Sequence, residues 1–244
     1  MDNCLKLLNG KKSIDIFECA RVDKETPIET TLKTLEEEYV KTGKLGGIAL
    51  SEVGAATVER AAKATKIVAC EVEVSLWATD IFSNGVAEAC AKHGIPVVAY
   101  VPIPSNLLLT NNDRYSPIGR GMLSGQIKSP KDIPEADFRR TIPRFNEENF
   151  PKNLELVREL EKIAKQKGCT PAQLAISWVR NLSGKNGNPV VIPIPGATSE
   201  ERVAENAKEI ALNDQDIAEI DSILKSFNVA GERYGGPALA HING

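Results

Sequence analysis

The 244-residue sequence is poor in the residues that build metal and redox sites. It holds two histidines, His93 and His241, and this supply alone excludes a histidine-rich metal centre. Its five cysteines are odd in number, lie far apart and form no CxxC pair, so we interpret them as reduced, mostly buried thiols. We therefore expect no metal in the functional site.

Charge and hydropathy exclude further classes of protein. The net charge is -3 and the lysines and arginines are dispersed among acids, so nucleic acid is not an expected partner. No run of about 18 apolar residues is present, and the start MDNCLKLLNGKK has no signal-peptide or transit-peptide character. We expect a cytoplasmic protein without a membrane partner. Its length suits a single domain over residues 1–244.

Short β-branched runs alternate with longer amphipathic stretches, and this alternation predicts parallel βα units. Thr26 and Pro27 open one predicted helix, Thr170 and Pro171 open another, and further helices are predicted over residues 85–94, 152–167, 199–211 and 214–227. No GxGxxG follows a strand, and polar residues crowd the C-terminal ends of several strands, so a barrel is favoured over an open doubly wound sheet. The predicted strands cover residues 13–19, 46–50, 67–74, 96–100 and 189–194.

Several segments, taken in order, resemble the aldo-keto reductase family, in the branch that contains fungal pyridoxal reductases. They are IDIFECARVD, TPIETTLKTLEEEYVKTGKLGGIALSEV, VEVSLWATDIFSNGVAEACAKHGIPVVAY, SPIGRGMLSG and IPGATSEERVAEN. The resemblance implies an α/β fold of the (β/α)8 TIM barrel type. It also implies NADPH-dependent reduction of a small-molecule aldehyde or ketone, with pyridoxal to pyridoxine as the expected reaction, by a protein that is monomeric when intact.

The resemblance assigns the visible strands as strands 4 to 8 of that barrel, so we expect an incomplete barrel with strands 1 to 3 missing. The positions that match the family's catalytic Asp, Tyr and Lys are then absent, and Ala20 stands where strand 4 carries a histidine. We assign no catalytic residue and expect no measurable turnover from this chain. The alternative is a non-catalytic barrel remnant or partner-binding module.

Residues 101–115 interrupt the resemblance, because their removal would give the uninterrupted reading VAYSPIGRGMLSG. One hypothesis is that they are a translated intron and that Met1 is an internal start. The other is a genuine loop insertion after the predicted seventh strand, where barrels tolerate extra residues. Sequencing the transcript distinguishes these two.

The resemblance places the nicotinamide end of the cofactor at the carboxyl ends of three strands. Tyr100 matches a tyrosine that stacks on the nicotinamide ring. Ser51 and Glu52 match a Ser-Asn pair that binds the carboxamide, and Glu71 stands at a Gln position. An ionised glutamate accepts hydrogen bonds but does not donate them. For Glu52 and Glu71, a carboxamide contact and the absence of any functional role are therefore equal alternatives.

The remaining predicted contacts concern the substrate, the pyrophosphate and the adenosine. Arg21 and Trp77 would lie near the substrate, the alternatives being a solvated ion pair for Arg21 and loop packing for Trp77. The preference for NADP over NAD rests on Arg202 and Thr198, and its alternative is helix capping with a surface Arg–Glu pair. The pyrophosphate loop comprises Ser116, Pro117, Ile118, Gly119 and Arg120, and the adenosine segment comprises Pro195, Gly196, Thr198, Arg202, Glu205 and Asn206.

Overall fold

A single parallel sheet organises the chain. The computed structural model describes residues 1–100, 127–135, 137–197, 199–233 and 235. In this part of the chain the five strands are hydrogen-bonded in the order in which they occur, β1-β2-β3-β4-β5, and every neighbouring pair is parallel. The strands are β1 (Ile14–Glu18), β2 (Leu45–Ser51), β3 (Ile67–Glu73), β4 (Val97–Tyr100) and β5 (Val191–Pro193).

Helices connect the strands, as parallel pairing requires. The helices are α1 (Asp2–Leu8), α2 (Ile28–Leu35), α3 (Ala55–Ala64), α4 (Val86–Lys92), α5 (Phe150–Gln166), α6 (Pro171–Leu182), α7 (Glu200–Ala207) and α8 (Asp214–Ser226). A π-helical turn, Glu36–Val40, continues α2. Short 3-10 turns, including Pro143–Phe145, precede α5.

The hydrophobic core lies between the sheet and these helices. Ile48 and Cys70 on the strands and Val58 and Cys90 on the helices are buried there. Burial of each large side chain of this kind contributes about 1.5–3 kcal/mol. The core therefore fixes the strand ends, and with them the loops that follow the strands.

The predicted helix start at Thr170 is confirmed. Pro171 is the first residue of α6, where its missing N–H is not needed. The Gln173 N–H donates to Thr170 Oγ1 at 3.2 Å, and the Thr170 N–H donates to Gln173 Oε1 at 3.1 Å, which completes a capping box.

The prediction of a (β/α)8 TIM barrel with strands 1 to 3 missing is wrong. The described residues form one five-stranded parallel sheet in which β1 is a strand of its own, paired with β2 along Ile14–Glu18. The alternation of strands and helices in the sequence correctly predicted the five parallel strands. This alternation contains no information on the number of strands in the complete sheet. The expectation of an eight-stranded barrel came from the resemblance.

Among the described residues, no helix combines the length and the apolar character needed to cross a membrane.

Candidate cofactor site

The predicted nicotinamide residues meet at one edge of the sheet. Parallel strands end on the same side, so residues that close β2, β3 and β4 become neighbours. Ser51 pairs in register with Glu71, and Glu73 pairs with Tyr100. The structure thus brings Ser51, Glu71 and Tyr100 together at the carboxyl edge.

Ser51 contacts a residue predicted to lie near the substrate. Arg21, in the loop after β1, donates from Nη1 to Ser51 Oγ at 3.3 Å and also to the carbonyl oxygen of Ala20. A hydroxyl that accepts this bond still has its own proton to donate. The pair therefore presents one hydroxyl donor, held in place by a cation, beside the sheet edge.

Glu52 lies beneath this edge. It is 2% exposed, and its backbone has φ 50°, in the left-handed region that costs a non-glycine residue about 1–2 kcal/mol. Its Oε1 accepts the Glu73 backbone N–H at 2.7 Å, and its Oε2 accepts from Arg233 Nη2 at 2.8 Å. Both carboxylate oxygens therefore have protein partners, and a direct contact of Glu52 with a carboxamide stays a prediction.

Arg233 and Glu73 were not found from the sequence. Arg233 Nε lies 3.2 Å from Glu73 Oε2, and its Nη1 lies 3.6 Å from Asp80 Oδ2 at the rim. A buried carboxylate requires a partner, so the acid that follows β2 was a signal to search the chain for a cation. Arg233 is 181 residues from Glu52 in the sequence, so no local pattern identifies it as the partner.

A second pair of carboxyl groups lies on β1 and β3. The pKa of Glu18 is raised to about 7, first by burial and then by the charge of Glu71 and a hydrogen bond to it, while the charge of Arg21 lowers it. Glu18 is therefore a carboxyl group that is mostly protonated below neutral pH and that can donate to Glu71. The predicted carboxamide contact of Glu71 remains a prediction, with this proton as an added feature that the sequence did not reveal.

The adenosine segment follows the neighbouring strand. The Ile194 N–H donates to the Ala99 carbonyl oxygen at 3.1 Å, so the chain that leaves β5 runs beside the end of β4. Ser199 caps α7 and accepts the Arg202 N–H at 3.3 Å. This arrangement places Pro195, Gly196 and the first turn of α7 at the same edge as Tyr100.

Asn206 has a buried acceptor that is not satisfied by the described residues. It is 7% exposed, and its Nδ2 donates to the Gly196 carbonyl oxygen at 3.2 Å. Its Oδ1 is buried and has no hydrogen-bond partner among the residues that the structure describes. An acceptor buried without a donor costs about 1–3 kcal/mol, and an exocyclic amine such as that of adenine would satisfy it.

Arg202 and Glu205 form the ion pair that was the alternative to cofactor binding. Arg202 Nη1 donates to Glu205 Oε2 at 2.6 Å, and Glu205 Oε1 accepts from Thr170 Oγ1 at 2.9 Å. This pair ties α7 to the start of α6 and holds the guanidinium beside the turn after β5. A guanidinium has five N–H donors in a fork, so Arg202 can hold Glu205 and an anion together.

The other predicted contacts divide into two groups. Trp77 is 4% exposed, its ring packs edge-on against Phe145 at 6.2 Å, and its carbonyl oxygen accepts from Arg144 Nη1 at 3.0 Å. Its place in a substrate pocket stays a prediction beside this packing role. The insert at 101–115, Thr198 and the loop of Ser116, Pro117, Ile118, Gly119 and Arg120 lie outside the described residues.

A dinucleotide fits the described residues at both ends. At the adenosine end there is a buried acceptor without a donor among the described residues, and at the other end a hydroxyl donor closes β2 and an aromatic residue closes β4. NADPH would supply a hydride to a carbonyl carbon, and Tyr100, Ser51, Arg202 and Asn206 would hold it.

Comparison with known proteins agrees with this fit. The model of the aldo/keto reductase family matches residues 1–225. The chain is 38% identical over 237 residues to a putative pyridoxal reductase of Saccharomyces cerevisiae and 32% identical over 238 residues to a probable pyridoxal reductase of Schizosaccharomyces pombe. It is also 38% identical over 238 residues to an aldo-keto reductase of Schizosaccharomyces pombe whose name includes NADP(+). These matches cover 91% to 96% of this chain and 64% to 66% of the relatives.

Comparison with solved structures also finds similar folds. A thermostable aldo-keto reductase bound to the inhibitor epalrestat is 25% identical, with a TM-score of 0.63, and the match covers 91% of this chain and 64% of that one. A glycerol dehydrogenase of Gluconobacter oxydans is 22% identical, with a TM-score of 0.76, and the match covers 95% and 64%. The family match begins at residue 1 and these structures cover nearly the whole chain, so the description as a barrel that lacks its first three strands is overturned.

Proposed function

Because the chain belongs to the aldo/keto reductase family, we propose that it binds NADPH along the carboxyl edge of its sheet and serves the reduction of an aldehyde, with pyridoxal as the substrate. The observation that carries the cofactor proposal is the buried Oδ1 of Asn206 on α7, an acceptor for which the described part of the chain supplies no donor. The substrate proposal is supported by the names of two relatives, a putative and a probable pyridoxal reductase.

The cofactor is oriented by groups at its two ends. Asn206 Oδ1 accepts from the adenine amine, and Arg202 contacts the 2′-phosphate while it keeps Glu205. At the other end Ser51 Oγ accepts from Arg21 and keeps its own proton, which it would donate to the carboxamide. Tyr100 would stack on the nicotinamide ring and so orient it toward the carbonyl carbon of the substrate.

Binding experiments test the cofactor proposal. We expect the purified chain to bind NADPH more tightly than NADH in fluorescence titrations. Arg202→Gln should reduce the NADPH affinity by roughly tenfold, the loss of one charge-assisted hydrogen bond, and leave NADH unchanged. Arg60→Gln, which removes an exposed pair with Glu29 on α2, is the control. Equal losses for NADPH and NADH would contradict the role of Arg202.

Turnover tests the substrate. The assay is the pyridoxal-dependent decrease of NADPH absorbance, with a panel of other aldehydes for comparison. The proposed function predicts turnover with pyridoxal, whereas the expectation of no turnover rested on the description of a barrel without its first three strands, which the comparisons overturn. Turnover with pyridoxal would contradict that expectation and support the substrate. Turnover with other aldehydes alone would contradict the substrate.

A further inference from the structure

The segment that follows α8 returns to the sheet edge, and we define its described residues, 227–233 and 235, as the C-terminal strap. Asn153 of α5 holds it by a pair of hydrogen bonds. The Ala230 N–H donates to Asn153 Oδ1 at 2.8 Å, and Asn153 Nδ2 donates to the Ala230 carbonyl oxygen at 2.9 Å. Arg144 Nε donates to the Gly231 carbonyl oxygen at 3.1 Å. The strap is therefore fixed at two successive residues.

Gly231 allows the strap to lie this close. Its φ is 86°, and a Cβ at this position would lie 2.8 Å from Pro143 C and 2.9 Å from Arg144 N. Both are backbone atoms, which cannot turn aside as a side chain can. The strap is thus seated against the turn before α5 with no room for a side chain.

Two residues beyond this anchor, Arg233 enters the space beneath the ends of β2 and β3. The Arg233 side chain is 9% exposed, and its guanidinium bridges Glu52 and Glu73, whose side chains are 1% and 4% exposed. One buried cation therefore contacts two buried carboxylates, one directly after β2 and one at the end of β3. Asp80, which is 58% exposed, lies at the outer side of the guanidinium.

The residue that Arg233 holds is adjacent to Ser51. Glu52 keeps a left-handed backbone and donates its own N–H to the Glu71 carbonyl oxygen at 2.9 Å. A shift of Glu52 would therefore move Ser51, its neighbour in the sequence, and Glu71 on β3, which accepts its N–H. Both are predicted contacts of the nicotinamide carboxamide.

We propose that Arg233 is a positioning residue for the nicotinamide end of the cofactor site, acting through Glu52 on Ser51 and not through contact with the cofactor. This inference rests on the proposed function, since it assumes that the cofactor lies along the carboxyl edge. It predicts that the adenosine end, which is built by α7 and the turn after β5, is independent of Arg233.

Two ligands separate the two ends. NADPH occupies the whole site, whereas 2′,5′-ADP occupies the adenosine end alone. We expect Arg233→Met to weaken NADPH binding by roughly tenfold and to leave the 2′,5′-ADP affinity within about twofold of wild type. Arg233→Lys, which keeps the charge but cannot bridge two carboxylates with a fork, should give an intermediate loss for NADPH. Arg180→Gln, which removes an exposed pair with Glu209, is the matched control and should change neither affinity.

The outcomes distinguish the two proposals. A wild-type chain that binds neither ligand overturns the proposed function. A wild-type chain that binds both, with Arg233 variants that bind NADPH normally or lose both ligands in parallel, overturns the positioning role alone. If Arg233→Met does not fold, the comparison rests on Arg233→Lys, whose NADPH loss must again exceed its 2′,5′-ADP loss.

Discussion

Glu18 shows how the position of a single carboxyl group sets a pH dependence. Its pKa is raised from 4.5 to about 7 in the folded protein, chiefly by burial and then by Glu71. Between these two values the unfolded chain releases the proton while the folded protein retains it. Folding therefore binds a proton in this window, and the contribution of Glu18 to stability is greatest below pH 4.5 and falls as the pH rises to about 7.

We predict that Glu18→Gln removes this part of the pH dependence. From pH 4.5 to about 7 the free energy of unfolding of wild type should fall, relative to the variant, by on the order of 1–2 kcal/mol after solvent screening of a half-buried group. Urea unfolding at several pH values measures the difference. Glu59→Gln on α3 serves as a control, because the pKa of Glu59 is lowered by Lys92 and His93 and not raised. Parallel curves for wild type and Glu18→Gln would contradict the assignment.

The ion pairs of Glu52 and Glu29 differ in burial, and this difference predicts different costs of removal. Glu52→Gln removes one of the two buried carboxylates that face Arg233, and should reduce the free energy of unfolding by about 3 kcal/mol. Glu29→Gln breaks an exposed pair with Arg60 and should cost less than about 1 kcal/mol. Chemical denaturation of both variants gives the comparison. Similar small costs would show that the Glu52 pair does not stabilise the fold.

At the scale of elements, hydrophobic patterning found the sheet better than the helices. All five strands were predicted, because each is a short apolar run bounded by Gly, Pro or charge, and the core buries those runs. Two helices were missed. None of the residues of α1 is buried, and α3 (AATVERAAKA) buries only Thr57, Val58 and Ala61, so neither shows the periodicity of large apolar residues that predicts a helix.

The residues of the candidate site also differ in how well the sequence predicts their positions. The residues that follow strands, such as Ser51 and Tyr100, could be placed from the sequence because parallel strands end at one edge. Arg233 could not, since it reaches that edge only through the strap, whose course depends on tertiary contacts with α5. A local pattern contains no information on a contact between residues that lie 181 positions apart.

The anchoring of the strap can be tested at a glycine. Gly231 and Gly184 both have positive φ, but a Cβ at Gly184 would meet nothing within 4 Å, whereas at Gly231 it would collide with backbone. We predict that Gly184→Ala costs about 1 kcal/mol from the backbone alone and that Gly231→Ala costs at least about 2 kcal/mol more than this. Denaturation measures both. Equal costs would contradict close seating of the strap.

At the scale of the whole molecule, the cofactor would directly connect the adenosine end and the nicotinamide end of the candidate site. The adenosine end involves α7, which Glu205 ties to Thr170 at the start of α6. The nicotinamide end involves β2 and β3, which Arg233 ties to the strap and, through Arg144 and Asn153, to α5. A ligand that binds only the folded state stabilises every element whose opening would break its contacts.

This connection predicts a pattern of amide hydrogen exchange. NADPH at about 100 times its Kd should stabilise the folded chain by roughly 2.7 kcal/mol and slow exchange in α7, at the ends of β2 and β3 and in the strap. At the same multiple of its own Kd, 2′,5′-ADP should slow exchange in α7 and at the turn after β5. Exchange of strap amides that occurs by local opening, without global unfolding, should not change. Mass spectrometry of peptic peptides resolves these regions. The ligand is connected to Arg233 only by contacts at the nicotinamide end, through Ser51 and Glu52. Protection by NADPH that is confined to α7 would therefore mean that the cofactor does not extend along the sheet edge.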